Sequence, residues 1–172
     1  MLFITGMETL TTLDTIRALH PDVPAAGSLE ESAAIENFRH FFSSFAPDRV
    51  DQLLEKTYAP DIYFNDTLKT IRGINDLAHY LRESAEAVQE CRVEVLDVAR
   101  TNMGDHYFRW KMMIRFKRFK KNRDTWTVGM SHLRFNAQGL VVYHQDYWNA
   151  ADGIFRHIPV LGNMINAVIN RL

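Results

Sequence analysis

From Ser28 to Val88 the apolar side chains recur mostly every three or four positions, and from Cys91 they recur every second position, so the chain reads as a helical front and a β-rich back. Ser28 and Glu31 have the spacing of a capping box, in which the serine oxygen accepts an amide proton while the glutamate reaches back to the cap nitrogen. A helix is expected to start there. Ile35, Phe38, Phe42 and Phe45, with Phe41 beside them, then form an aromatic stripe that Pro47 ends. A second short helix is predicted over 49–57 on Val50, Leu53 and Leu54, followed by a short strand at 62–65. After Gly73, Leu77, Leu81, Ala85 and Val88 share one face of an amphipathic helix.

The period of two then predicts long strands over 91–101, 106–119, 125–136 and 140–148, joined by connections short enough for an antiparallel meander. Phe108, Trp110, Met112, Ile114 and Phe116 alternate with Arg109, Lys111, Arg115 and Lys117, which puts the basic run on one face of a strand rather than in a phosphate site. Residues 1–27 show no sustained period and close on a proline-rich stretch, the mark of a loosely ordered leader before a domain at 28–150. From 151 to 172 an apolar helical pattern returns, broken by Pro159 and Gly162, and this tail needs the domain or a partner subunit to cover it. Helices followed by a bent antiparallel sheet are an α+β order, and a sheet curled around helices leaves a concavity at its open end.

Composition narrows the function classes. Lysine and arginine number 20 against 21 acidic residues, too even a balance to create the positive field that nucleic acid requires. Cys91 is the one cysteine, so neither an internal disulfide nor a thiolate metal site is available, and a cytoplasmic, reducing location is expected. No run is long and apolar enough for a membrane span, and no basic segment precedes the first apolar stretch as in a secretory signal. A homodimer is the expected assembly. Arg156, His157 and Arg171 are the only potential cations of the tail, which makes dimerisation the better reading of 154–172 than contact with a membrane surface.

Two segments carry a resemblance. MSHLRFNAQGLVV at 130–142 resembles the penultimate hairpin of bacterial ketosteroid isomerases, and YAPDIYFND at 58–66 resembles their first strand. Over about residues 32–149 the chain thus resembles the nuclear transport factor 2-like superfamily, which includes polyketide cyclases related to SnoaL. The resemblance implies a cone-shaped curved sheet wrapped around the N-terminal helices and an apolar pocket; no cofactor is expected, and no HxxxH or HExxH spacing supports a metal held by His144, Asp146 and Asp66. It places the isomerases' proton-moving aspartate at Asp66. Their oxyanion donors have no equivalent here, because the helix tyrosine falls on Phe41 by phase and the second acid on Ser131.

The last strand offers chemistry of its own. His144, Asp146 and Trp148 sit two apart, so they share a face, and a carboxylate beside an imidazole makes a general acid or base. Either that pair or Asp66 shuttles protons, or His144 and Asp146 satisfy buried polar groups and Asp66 caps the turn at Asn65 and Thr67. Phe41, Phe64, Trp110, Met112, Ser131 and Trp148 are the expected ligand-binding wall, while His132 and Arg134 alternate away from it toward the outside or a partner. The combined expectation is isomerisation, cyclisation or dehydration of a small hydrophobic carbonyl compound; the alternatives are a lipid-binding module and a dimeric scaffold.

Overall fold

A computed structural model of the chain describes residues 6–118 and 123–150, and the two periodicities become two layers. The order is α1 (Gly6–Leu19), α2 (Leu29–Phe42), α3 (Pro47–Thr57), β1 (Tyr58–Asn65), β2 (Thr70–Arg72), α4 (Ile74–Ala87), β3 (Val88–Arg100), β4 (His106–Phe116), β5 (Thr125–Phe135) and β6 (Val141–Trp148). The six strands lie in one unclosed sheet ordered β2-β1-β6-β5-β4-β3. The meander from β3 to β6 is antiparallel, as expected from the short connections. The sheet is not antiparallel throughout, because β1 runs parallel to β6, and the long excursion through α4 and the meander is what allows that return. Strand β2 is an addition to the sequence pattern, too short to show a period.

Curvature comes from register breaks. The β3–β4 ladder shifts between Val88 and Glu90 and again between Val95 and Asp97, and extra residues of this kind bend a strand and increase its twist. A further break on β6 pairs Phe135 with Val141 and Arg134 with Tyr143, leaving Val142 as the extra residue. That insertion re-aims the strand: Val141 joins the core under the helices, Val142 and Tyr143 pack on the opposite face, and His144 returns to the concave side.

The main core lies in the concavity. Phe38 and Phe41 of α2, Val50 and Leu54 of α3, and Leu77 and Leu81 of α4 pack against Phe108, Leu133 and Phe135 of the sheet. Burying such a side chain is worth about 1.5–3 kcal/mol, so this layer is the principal source of stability. Ser28 caps α2 through its Oγ, which accepts from the Glu31 amide at 3.1 Å. Glu31 reaches one residue further back than the box predicts, to the amide of Gly27 at 2.6 Å, because the cap amide is already bonded to Ala25 at 3.1 Å.

The leader expectation is corrected for the described residues. Residues 6–19 form α1, whose Leu13 and Ile16 pack on Ala59, Tyr63, Val142 and Tyr143 on the convex face. Leu10 and Leu19 are exposed, so only a narrow stripe is apolar, and this is why no helical period stood out. Arg17 then anchors the helix to Asp105. Consequently His132 and Arg134, which do point away from Ser131, are buried under α1 and the 20–27 segment instead of facing outward. The expected tail at 151–172 lies outside the described residues.

Candidate functional site

An apolar cavity of about 270 Å³ opens in the concave face between α2, α4 and the sheet. Its wall includes Phe38, Phe42 and Phe45 from the front, Phe64 and Leu81, and Trp110, Met112 and Trp148 from the strands. Eight of the nine side chains singled out in the sequence meet here: Phe64, Asp66, Trp110, Met112, Ser131, His144, Asp146 and Trp148. Phe41 does not. It is buried between Phe42 and the edge of Tyr58, and Phe42, one residue on, takes its place at the cavity. The stripe was broad enough that its phase was ambiguous by one residue.

Strand register explains the convergence. Ser131 pairs with Asp146 and Gly129 with Trp148 across β5 and β6, while Trp110 pairs with Gly129 across β4 and β5. Gly129 is required by close approach. A Cβ there would lie 2.7 Å from the Cβ of Trp148 and collide with the Trp110 ring, so the absence of a side chain lets two indoles frame the cavity.

The polar groups form one hydrogen-bonded chain. The Trp110 indole N–H donates to Ser131 Oγ at 2.9 Å, and Ser131 donates to Asp146 Oδ1 at 2.5 Å. His144 Nε2 lies 2.8 Å from that same oxygen, and its Nδ1 lies 2.9 Å from the Tyr58 hydroxyl. A carboxylate only accepts, so Nε2–H donates to Asp146; in the neutral ring Nδ1 then accepts from the Tyr58 hydroxyl, whose pKa burial, reinforced by the Asp146 charge, pushes well above its ordinary value. Asp146 Oδ2 has no protein partner among the described residues. With His144 at 2% side-chain exposure and Asp146 at 16%, the group presented to a ligand is the carboxylate, and the imidazole stands behind it.

Asp66 sits at the end of β1 on the same cavity. Its Oδ1 accepts from the amides of Leu68 at 3.0 Å and Lys69 at 2.8 Å, and its Oδ2 from the Tyr80 hydroxyl. The turn it caps holds Thr67 at φ 73°, a left-handed conformation that a β-branched residue seldom adopts. Turn capping and cavity lining are therefore both true of Asp66. Burial raises its pKa from the ordinary value, the bonds from Tyr80, Lys69 and Leu68 oppose the rise, and the Asp146 charge adds to it. Trp148 completes the link by donating to the Asp66 carbonyl at 2.7 Å.

Tyr58, Tyr80 and Gly129 are site residues that pattern reasoning did not reach. Tyr58 adjoins the end of a helix and reads as core, and its role depends on a partner 86 residues away. No group of three or more His, Cys, Asp or Glu side chains is arranged to hold a metal among the described residues, and both ring nitrogens of His144 are engaged within the protein.

Residues 17–144 match the family model described as SnoaL-like domain. No curated protein matches the chain. Among solved structures, an NTF2-like protein of unknown function from Exiguobacterium sp. 255-15 is similar at 17% identity and TM-score 0.58, over 67% of this chain and 98% of that one. A LEH-like epoxide hydrolase from M. tuberculosis is similar at 15% identity and TM-score 0.59, over 82% of this chain and 98% of that one. A phenazine biosynthesis-related protein from Pseudomonas aeruginosa is similar at 15% identity and TM-score 0.57, over 76% of this chain and 88% of that one. At such identities these structures share the fold with this chain and nothing finer is carried over.

Proposed function

We propose, for a chain that belongs to the SnoaL-like domain family, a cofactor-independent proton transfer on a small hydrophobic carbonyl compound, with Asp146 as the base. The observation that carries the reading is the arrangement of that carboxylate, one oxygen fixed by Ser131 and His144 and the other open to an apolar cavity. A base held at one oxygen loses little freedom on reaction, and an apolar wall strips it of the water that would weaken it. Asp66 faces the same cavity with its carboxyl biased toward the neutral form, so the two acids are suited to opposite halves of a proton transfer. Asp146 takes a proton from the carbon beside the carbonyl, the electron pair moves toward the carbonyl oxygen, and Asp66 returns a proton elsewhere on the molecule. His144 and Tyr58 act as positioning residues behind Asp146.

The test is isotope exchange. Cyclohexanone and 1-tetralone incubated with the protein in D2O are expected to take up deuterium beside the carbonyl faster than in buffer. Asp146→Asn, folded by circular dichroism, is expected to fall to the buffer rate. Equal exchange by the variant and the native protein would remove Asp146 from the role. If neither exchanges while an apolar ligand is retained unchanged, the cavity stores a ligand instead.

A specific observation also favours a dimer. Trp126, Val128 and Met130 on β5 and Tyr147 on β6 are all exposed on the convex side, an apolar row of the kind that a second copy covers. Trp126→Glu is expected to shift light-scattering mass to the monomer, and an unchanged mass would clear this face.

A further inference from the structure

The charges around the cavity are one-sided. Among the described residues no lysine or arginine lines it, and its acids are Asp66 and Asp146. Every strong hydrogen-bond donor on the wall is already directed into the protein: Tyr80 to Asp66, Ser131 to Asp146, Trp110 to Ser131, Trp148 to the Asp66 carbonyl, and Ser84 to the Tyr80 carbonyl. His144 is engaged at both nitrogens, which leaves the Cys91 thiol, a weak donor. The nearby cation Lys69 lies outside the lining, its ammonium 5.0 Å above the Tyr80 ring.

Such a wall cannot neutralise negative charge on a ligand. Removing a proton beside a carbonyl sends the electron pair onto the oxygen, and stabilising that oxygen is usually the largest single contribution an enzyme makes. Among the described residues no cation supplies it, the Asp66 carboxyl is turned to Tyr80 and the amides of Leu68 and Lys69, and the Asp146 charge opposes it. A positive charge meets the reverse situation, an Asp146 carboxylate oxygen without a protein partner among the described residues and a wall that includes the aromatic rings of Trp148 and Phe64, whose quadrupoles can attract cations.

We infer that the compound held in this cavity is a hydrophobic amine, protonated at a nitrogen near the reacting carbon, so that the substrate brings the cation that the protein lacks. The inference deepens the proton-transfer reading and rests on it for its chemistry: the C–H proton goes to Asp146, its electron pair to the carbonyl oxygen, and the neighbouring N–H⁺ offsets the charge that forms there. The binding preference follows from the wall alone. Anionic ligands are excluded by like charge, which is selection by repulsion as well as attraction.

Three probes sharing one ring separate the possibilities, using the fluorescence of the full chain to follow binding: benzylamine, benzyl alcohol and benzoate. Benzylamine is expected to bind at least about tenfold more tightly than benzyl alcohol, equivalent to about 1.4 kcal/mol, with benzoate the weakest. Asp146→Asn is expected to bring benzylamine to within about twofold of the alcohol's affinity, with toluene, which makes no hydrogen bond, binding the variant and the native protein alike and so showing that the cavity is intact. Benzyl alcohol or benzoate binding as tightly as benzylamine, a variant that keeps the preference, or no saturable benzylamine binding would each overturn the inference. Its failure is separate from that of the proton-transfer reading, because deuterium uptake by the neutral ketones reports on Asp146 as a base whether or not amines are preferred.

Discussion

Two buried assemblies of histidine and carboxylate can be compared among the described residues, one under α1 and one at the cavity, and they differ in whether the acid has a cation. Under α1, Asp105 is completely buried and receives Arg17, Arg134 at 2.8 Å and His132 at 3.2 Å, while nearby Glu31 receives Arg100 and His106 at 2.8 Å. At the cavity, Asp146 is held by Ser131 and His144, with no lysine or arginine on it among the described residues. The first arrangement consumes its charge in holding the leader to the sheet. The second keeps a reactive oxygen, and so the same residue types produce structure in one place and a candidate site in the other.

The largest effect should come from breaking the compensated side. Asp105→Asn leaves the Arg134 guanidinium buried beside a neutral amide and is expected to cost about 3–5 kcal/mol in urea unfolding. Asp146→Asn should cost less than about 1 kcal/mol, because the amide oxygen still accepts from Ser131 and His144 and the new NH2 faces the cavity. Equal losses would mean that both assemblies are structural.

Next in size is Gly129→Ala, which places a methyl group where Trp110 and Trp148 already are. We expect a loss of about 1–3 kcal/mol, together with a changed tryptophan emission as the indoles are displaced. An unchanged spectrum and stability would show that the cavity wall yields more easily than the contact distances imply.

Tyr58→Phe sharpens the comparison within the cavity side. It removes the donor to His144 Nδ1 and leaves a buried acceptor without a partner, at about 1–2 kcal/mol. The decisive reading is the imidazole ¹⁵N spectrum of His144, which should change from one tautomer in the native protein to a mixture in the variant. A spectrum identical to the native one would remove Tyr58 as the positioning residue.

The sequence showed the scaffold more fully than the site. Alternation from Phe108 to Phe116 and the spacing of His144, Asp146 and Trp148 are local properties, and local periodicity decides which face a side chain takes. Helix α1 escaped notice because Leu13 and Ile16 alone are buried among its described apolar residues, and its attachment relies on an ion pair 88 positions away. Tyr58 and Gly129 were equally hidden, since one matters through a hydrogen bond and the other through an excluded volume, and neither leaves a periodic trace. Even the bulge at Val142, which returns His144 to the cavity, is a register property of two strands together.

The smallest effect we predict concerns the sign of the pH dependence, and it opposes the two sides directly. Burial disfavours the charge on Asp105, yet the bonds from His132, Arg17 and Arg134 outweigh it and hold the carboxyl below the usual range. Its contribution to stability is therefore present above the unfolded value, about 3.9, and is lost as the pH falls through the lower folded value. Asp66 is shifted the other way, chiefly by burial, so the folded chain keeps that proton longer than the unfolded chain does. Its contribution is greatest below the unfolded value and declines as the pH rises toward the folded one. Measured against the native protein from acid to neutral pH, the deficit of Asp105→Asn should grow, whereas Asp66→Asn should gain in relative stability. Parallel slopes for the two variants would mean that Asp66 is as well compensated as Asp105, and the distinction between a satisfied acid and a reactive one would then rest on Asp146 alone.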